Sequence, residues 1–223
     1  MDIIKYDVYR GPNLGVYISV NDTVGLVPMG FAQTKADKLA KYLDIEIYHT
    51  AIANTRLIGA LSIMNNKGIL LPTTAYQNEF DFLKEETDLE VGVLDTKFNA
   101  LGNVICANDK GAVVSPWLSK EECQTVSDVL GVETVQKKIS GFNQVGSVMV
   151  TNNSGAAIHP DANEKDMEIF SDVLGVNIEH SSINNGVPYV SSGILANNHC
   201  IVVGSLTNGP EIMNLTSAFL NSE

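Results

Sequence analysis

The amino-acid sequence predicts an α/β fold in which five ββαβ repeats of about 44 residues form a closed ring. The hexapeptide SDVLGV at 127–132 returns after 44 positions, at 171–176. An apolar residue followed by Gly or Ser recurs at steps of 44, 43, 44 and 45 residues. These pairs are Leu14-Gly15, Ile58-Gly59, Leu101-Gly102, Val145-Gly146 and Val190-Ser191.

A β-hairpin is predicted in every repeat. An asparagine followed by Asn or Asp stands six residues after each small residue, and largely apolar segments flank it on both sides. Asn and Asp tolerate left-handed backbone and Gly supplies positive φ, as a tight turn between two strands requires. The five pairs are Asn21-Asp22, Asn65-Asn66, Asn108-Asp109, Asn152-Asn153 and Asn197-Asn198.

A helix is predicted after each hairpin. The second strand ends at a proline in four repeats, because proline cannot donate to a central ladder, and at Gly204-Ser205 in the fifth. Ser119 with Glu122 has the spacing of a capping box. Similar N-terminal patterns are Thr34 with Asp37, Asn163 with Asp166 and Asn208 with Glu211. The prolines are Pro28, Pro72, Pro116 and Pro160.

The hexapeptide marks the end of two helices. Its leucine completes an apolar helix face, Gly131 and Gly175 are expected as C-terminal caps, and the valine that follows begins a third strand. The second repeat matches least well, and Phe80 to Leu83 indicate only a short helix there. The chain then forms a single domain with helices outside and hairpins inside. Its repeats span roughly 1–50, 51–94, 95–137, 138–182 and 183–223.

Composition excludes several classes of protein. No apolar run is long enough for a membrane span, no signal peptide precedes the repeats, and a cytoplasmic protein is expected. Three cysteines without C-x-x-C argue against a disulfide framework or zinc site, and no histidine pair has the spacing of metal ligands. The net charge of −12 disfavours binding that depends mainly on nucleic-acid phosphates, and no cofactor motif is present.

Three segments resemble a known family, the translation initiation factor 6 proteins of archaea and eukaryotes. The segments are HTAIANTRLIG at 49–59, ALGNVICANDKGAVVSPW at 100–117 and SDVLGVE at 127–133, and the similarity extends over all five repeats. The resemblance implies the five-fold pseudosymmetric pentein fold, an α/β propeller. The chain looks like the archaeal form.

The resemblance also implies a function without catalysis. Members of the family bind the large ribosomal subunit and sterically prevent its association with the small subunit. Their docking surface includes an L14-type protein, near an L24-type protein and the sarcin–ricin loop of the rRNA. A scaffold role in maturation of the large subunit remains open. We expect a monomer that binds neither DNA nor a membrane and needs no cofactor or metal.

Contact residues are expected where the five repeats differ in chemistry. Asn103 carries the largest polar group among the residues that follow the small residue of each repeat, although it could instead satisfy local backbone groups. Arg56 could meet a carboxylate or phosphate, or form a buried salt bridge between repeats. Equivalent loops should share one end of the ring. The candidate ribosome-binding residues are Asn13, Arg56, Ala60, Asn99, Asn103, Asn143 and Ser192.

A catalytic alternative rests on Cys200. The fold class implied by the resemblance also contains guanidine-modifying hydrolases and transferases with a cysteine nucleophile late in the chain, and His199-Cys200 resembles such a site superficially. Alignment with the other repeats places this pair in a hairpin turn, at the positions that Lys67-Gly68 and Lys110-Gly111 occupy in the second and third repeats. No clear counterpart of the paired acids that grip a guanidinium is found, so this reading is the weaker one.

Overall fold

The computed structural model describes residues 2–220, which form five three-stranded sheets. The strands are β1 (Asp2–Tyr6), β2 (Ser19–Val20), β3 (Val24–Pro28), β4 (Glu46–Thr50), β5 (Ile63–Met64), β6 (Gly68–Pro72), β7 (Glu90–Leu94), β8 (Ile105–Ala107), β9 (Gly111–Val114), β10 (Glu133–Gln136), β11 (Met149–Thr151), β12 (Gly155–Ile158), β13 (Asn177–His180), β14 (Ile194–Ala196) and β15 (Cys200–Gly204). The helices are α1 (Leu14–Tyr17), α2 (Gln33–Leu43), α3 (Ile58–Leu61), α4 (Gln77–Glu86), α5 (Leu101–Val104), α6 (Lys120–Leu130), α7 (Val145–Val148), α8 (Glu164–Leu174) and α9 (Gly209–Leu220).

Each sheet has the same topology, and this confirms the predicted α/β pentein fold. A short first strand pairs antiparallel with the second strand, and the third strand pairs parallel with the second. A parallel pair needs a crossover connection, and the long helix provides it in the first four repeats. The first strands β2, β5, β8, β11 and β14 contact one another in sequence around the axis, so the ring is closed.

The N-terminal strand completes the fifth sheet. Strand β1 pairs parallel with β15, from Asp2 opposite Cys200 to Tyr6 opposite Gly204. The division at 1–50 placed this strand in the first repeat, whereas it occupies the position of a third strand after α9. Pairing between the two ends of the chain is non-local, so the repeat pattern did not reveal it.

A single helical turn begins at each apolar–small pair, where we had expected a strand. The turns α1, α3, α5, α7 and the 3₁₀ turn Val190–Gly193 contact one another around the axis. A Cβ on Gly59 would collide with the carbonyl oxygen of Gly15, and one on Gly102 with that of Gly59. The close approach of neighbouring repeats therefore requires glycine at these two positions. Because the helical turns occupy part of each segment, the first strands have only two or three residues.

The hairpin turns are held by asparagine side chains. The Asn65 Oδ1 accepts hydrogen bonds from the N–H groups of Lys67 and Gly68, both at 3.0 Å. No residue of these five turns has positive φ, so the expected left-handed turn conformation is wrong. Gly68 instead begins β6 beside the Val129 carbonyl of α6, where a Cβ would collide.

The same asparagines link the repeats into a ring. Each buried side-chain Nδ2 donates to the backbone carbonyl of the equivalent asparagine in the next repeat. The five bonds are Asn21 to Asn65 at 2.9 Å, Asn65 to Asn108 at 3.1 Å, Asn108 to Asn152 at 3.0 Å, Asn152 to Asn197 at 2.8 Å and Asn197 to Asn21 at 3.1 Å. Buried amides that are hydrogen-bonded across every boundary in this way favour one arrangement of the repeats.

The helix signals were mostly correct. Ser119 and Glu122 form the expected capping box, and Gly131 and Gly175 end α6 and α8 with φ of 62° and 60°. Two expectations were wrong: α2 begins at Gln33, before Thr34, and α4 has 10 residues. The length of α4, the long helix of the second repeat, was underestimated because its N-cap is Tyr76, which is not a preferred capping residue.

The apolar core lies between the sheets and the long helices. Every residue of the second strands β3, β6, β9, β12 and β15 is buried. Helices α6, α8 and α9 each also contact the second strand of the preceding repeat. These contacts hold neighbouring sheets side by side.

Candidate docking face

One end of the ring is formed entirely by connecting segments, and we call it the loop face. In each sheet the first strand is antiparallel and the third strand is parallel to the second strand. Third strands therefore end, and first strands begin, at the same end of the ring. The segments from second strand to helix start at the same end. The loop face comprises residues 7–18, 51–62, 95–104, 137–148 and 181–193 between sheets, and 29–32, 73–76, 115–119, 159–163 and 205–208 before the long helices.

The loop face differs in charge from the rest of the molecule. Its segments contain five basic residues and three carboxylates, whereas the chain has 14 Lys and Arg against 26 Asp and Glu. Both arginines of the chain, Arg10 and Arg56, belong to it. The remaining surface is therefore strongly acidic, and this end can approach a partner that would repel the other faces.

Exposed apolar side chains are concentrated at the same end. Ten large hydrophobic side chains are exposed among the described residues, and seven belong to the loop face. The seven are Tyr9, Met29, Leu57, Tyr76, Trp117, Tyr189 and Leu206. Aromatic residues and Met are enriched in protein interfaces, so this composition is typical of a surface that is covered by a partner.

Arg56 is exposed and lies over an aromatic cluster. Its guanidinium is 5.4 Å from the ring centre of Tyr9, which packs edge-to-face against Tyr17 and Phe31. Arg56 forms no salt bridge with any of residues 2–220, so the alternative of a buried ion pair between repeats is wrong. Its side chain is held in place by the aromatic ring and keeps its donors free.

The axial cavity brings three of the seven candidate residues together. Ala60, Asn103 and Ser192 line this cavity of about 150 Å³ on the five-fold axis. The Asn103 side chain forms no hydrogen bond with the residues that the structure describes, which counts against the local-backbone alternative. The remaining candidates, Asn13, Asn99 and Asn143, lie in the adjoining loops of the same face.

Two buried carboxylates, those of Glu79 and Glu211, hold loops of this face in place. The sequence did not predict these contacts. Glu79 accepts hydrogen bonds from the N–H groups of Ala53 and Asn54, both at 2.8 Å. Glu211 accepts from Asn185 at 3.0 Å and Gly186 at 2.8 Å. These loop residues have positive φ, so each carboxylate stabilises an otherwise unfavourable backbone.

Hydrogen bonding also decides the ionisation of Glu211. Burial on its own raises the pKa of a carboxyl group, but donors from Asn208, Gly186, Ser182 and Asn185 outweigh it and lower the pKa below its ordinary value. Capping-box spacing with Asn208 marked Glu211 as a helix residue. Nothing in the spacing indicated that it also clamps a loop 25 residues earlier in the chain.

The third of the loops between sheets, residues 95–104, lacks a contact that the other four share. An isolated β-bridge closes the turn in the other loops: Val8–Gly11, Ile52–Thr55, Ile139–Phe142 and Ile183–Val187. In place of a bridge, Phe98 stacks on Trp117 with ring centres 5.1 Å apart and planes at 14°. Sequence reasoning missed this pair, because the two residues are separated by a hairpin.

The catalytic alternative does not fit the geometry of Cys200. The residue is buried at the start of β15, and its Sγ lies 3.4 Å from the Asp2 carbonyl oxygen. Burial and, secondarily, the Asp2 charge raise the pKa of the thiol to about 11. A nucleophilic thiolate is therefore disfavoured near neutral pH, the reverse of what covalent catalysis requires.

Residues 2–220 contain neither a candidate metal site nor a candidate membrane-spanning helix. No group of three or more His, Cys, Asp or Glu side chains in that range could hold a metal ion. Within the same range, no helix is both long and apolar enough to cross a membrane.

Solved structures of similar shape share the fold alone. A dimethylarginine dimethylaminohydrolase variant in adduct with S-methyl-L-thiocitrulline superposes with a TM-score of 0.55 at 10% identity, over 81% of this chain and 70% of that one. The N-terminal domain of ArgZ, covalently bound to a reaction intermediate, gives 0.50 at 8% identity, over 76% and 67%. At such low identity the enzymes' chemistry does not transfer.

Sequence comparison is far more specific. The model of the eIF-6 family matches residues 3–218. Translation initiation factor 6 of Nitrosopumilus maritimus is 82% identical, over 99% of this chain and all of the relative. Those of Cenarchaeum symbiosum and Pyrococcus furiosus are 59% and 43% identical, each over 98% of this chain, and over 99% and 98% of their own lengths. The chain belongs to the eIF-6 family.

Proposed function

We propose that this protein is a non-enzymatic translation initiation factor that binds the large ribosomal subunit through its loop face. Bound there, it prevents joining of the small subunit by occupying the surface that the two subunits share. Family membership, archaeal relatives and the expectations drawn from the resemblance support this proposal. The proposed partners are an L14-type protein and an L24-type protein near the sarcin–ricin loop, and the protein acts in the cytoplasm.

The observation that carries the proposal is the composition of the loop face. It combines both arginines with seven of the ten exposed large hydrophobic side chains, and it is poor in carboxylates. The loops are also stabilised from beneath by Glu79 and Glu211. A broad, pre-formed surface of this kind suits docking onto a large rigid particle, since little order must be gained on binding.

A sedimentation experiment tests the proposal. Archaeal large and small subunits are run on sucrose gradients with and without the protein, and the fractions are probed for it. We expect co-migration with the large subunit and loss of joined ribosomes. Protein that stays at the top while subunits join normally would contradict the proposal.

Arg56→Ala tests the loop face directly. Arginines that become buried on docking often contribute strongly to binding free energy. We therefore expect affinity for the large subunit to fall about tenfold or more, about 1.4 kcal/mol, with an unchanged melting temperature. Lys84→Ala is the matched control, because Lys84 is an exposed cation in the last turn of α4, at the opposite end. Asn103→Ala should weaken binding in the same way. Equal affinities for all these variants and the wild type would place docking elsewhere.

A further inference from the structure

The third loop and the segment 115–119 together carry a stack of three side chains that the proposed docking does not itself explain. Lys97 Nζ lies 5.1 Å from the ring centre of Phe98, and Phe98 stacks almost parallel on Trp117. Trp117 is the only tryptophan of the chain. Its backbone is tied down by the N–H, which donates to the Ser115 Oγ at 3.2 Å.

Stabilising the loop accounts for only part of this arrangement. Phe98 covers one face of the indole and can thereby replace the missing β-bridge of this loop. Yet 42% of Trp117 remains exposed, although a smaller side chain could pack on Phe98 with less apolar surface in water. A rigid indole that is stacked on one side and open to solvent is suited to receive a second planar group.

Lys97 and the charge of the loop face as a whole indicate which planar group fits. Both nucleobases and arginine guanidinium groups stack on tryptophan. A cation, Lys97, already belongs to this stack, and the loop face has five basic residues against three carboxylates. A nucleotide brings a phosphate that an adjacent Lys attracts, whereas an incoming guanidinium would meet a charge of its own sign.

We propose that Trp117 stacks on an unpaired base of the large-subunit RNA, with Lys97 close to the phosphate backbone. The inference rests on the proposed function, because it assigns one corner of the loop face to RNA. The other aromatic cluster, around Tyr9 and Arg56, is left to the remaining contacts. Docking would thus combine protein contacts with stacking on single-stranded RNA, which is recognised mainly through its unstacked bases.

Photo-crosslinking on the intact large subunit decides between RNA and protein. A benzophenone amino acid replaces Trp117, the complex is irradiated, and the crosslinked product is treated with ribonuclease or with protease. We expect the product to be shortened by ribonuclease and to map to an unpaired rRNA segment. A crosslink to a ribosomal protein, or none at all while the variant still co-sediments, would overturn the inference.

The isolated protein allows a second measurement, because its tryptophan fluorescence reports on this one site. A single-stranded RNA hexamer should quench the emission of the wild-type protein, and the quenching should weaken as salt rises. Trp117→Leu should lower affinity for a labelled hexamer about tenfold, and Lys97→Gln should reduce the salt dependence. Tyr76→Leu, which removes another exposed aromatic side chain of the same face, should change neither quantity.

The outcomes separate this inference from the proposed function. Wild-type protein that fails to co-sediment with the large subunit contradicts the proposed function. Wild-type protein that co-sediments but shows no quenching by the hexamer, and quenching instead by an arginine-rich peptide, overturns only the stacking inference. If Trp117→Leu lowers the melting temperature, Lys97→Gln and the wild-type quenching still decide, since neither disturbs the Phe98–Trp117 pair.

Discussion

Single residues in this protein act across the boundary between repeats. The recurring glycines and asparagines were visible in the sequence, and their period was correct. Their roles were not predictable, because a pattern within one repeat says nothing about the neighbouring repeat. Gly146 shows the difference: it was expected only as an anchor of the period, whereas a Cβ there would collide with the carbonyl oxygens of Ile105 and Gly102.

Gly146→Ala should therefore destabilise the protein strongly. Overpacking a close backbone contact costs about 1–3 kcal/mol, and we expect the melting temperature to fall by several degrees. Gly209→Ala is the matched control, because a Cβ at this position in the first turn of α9 meets no atom within 4 Å. Thermal unfolding of both variants by circular dichroism tests the expectation. A Gly146→Ala protein as stable as Gly209→Ala would contradict it.

At the scale of elements, the signals that lie within one segment were the reliable ones. The Ser119–Glu122 capping box and the Gly131 cap predicted α6 correctly, because all their partners lie within one helix. The single-turn helices were missed, since four residues are too few for a helical period to show. The candidate loops were predicted as one face, but the buried carboxylates that hold them were not.

Glu211 makes the stability of the fifth loop dependent on pH. Its pKa is lowered in the folded protein, so its stabilising contribution is present above the pKa of the unfolded chain, about 4.3, and is lost as pH falls through the folded value. Glu211→Gln should cost about 1.5–3 kcal/mol at pH 7, because it removes charged hydrogen bonds from buried donors. The cost should shrink at pH 3.

Urea unfolding at pH 7 and pH 3 measures this effect. Glu168→Gln serves as the control, since Glu168 is exposed on α8 and accepts no hydrogen bond from the described residues. The control should be as stable as the wild type at both values of pH. A Glu211→Gln variant with the same loss of stability at pH 3 as at pH 7 would show that the charge has no role.

For the whole molecule, closure of the ring depends on one strand from the far end of the chain. In four sheets the third strand follows the long helix of the same repeat, whereas in the fifth sheet the third strand is β1. Strand β1 is also tied to the first repeat, because the Tyr6 hydroxyl donates to the Lys35 carbonyl at 3.0 Å and Lys35 Nζ donates to the Asp7 carbonyl at 2.9 Å. Residues 2–6 therefore join the fifth repeat to the first.

Removing residues 1–6 should open the ring at this junction. The N–H and C=O groups of β15 lose their partners on one side, and an unpaired edge strand favours association with other chains. We expect a melting temperature at least 10 °C lower and oligomers in sedimentation velocity. Lys5→Ala is the control, since its exposed side chain contributes little and the strand stays paired. A truncated protein that remains monomeric and as stable as Lys5→Ala would mean that the contacts among the other repeats suffice to hold the ring closed.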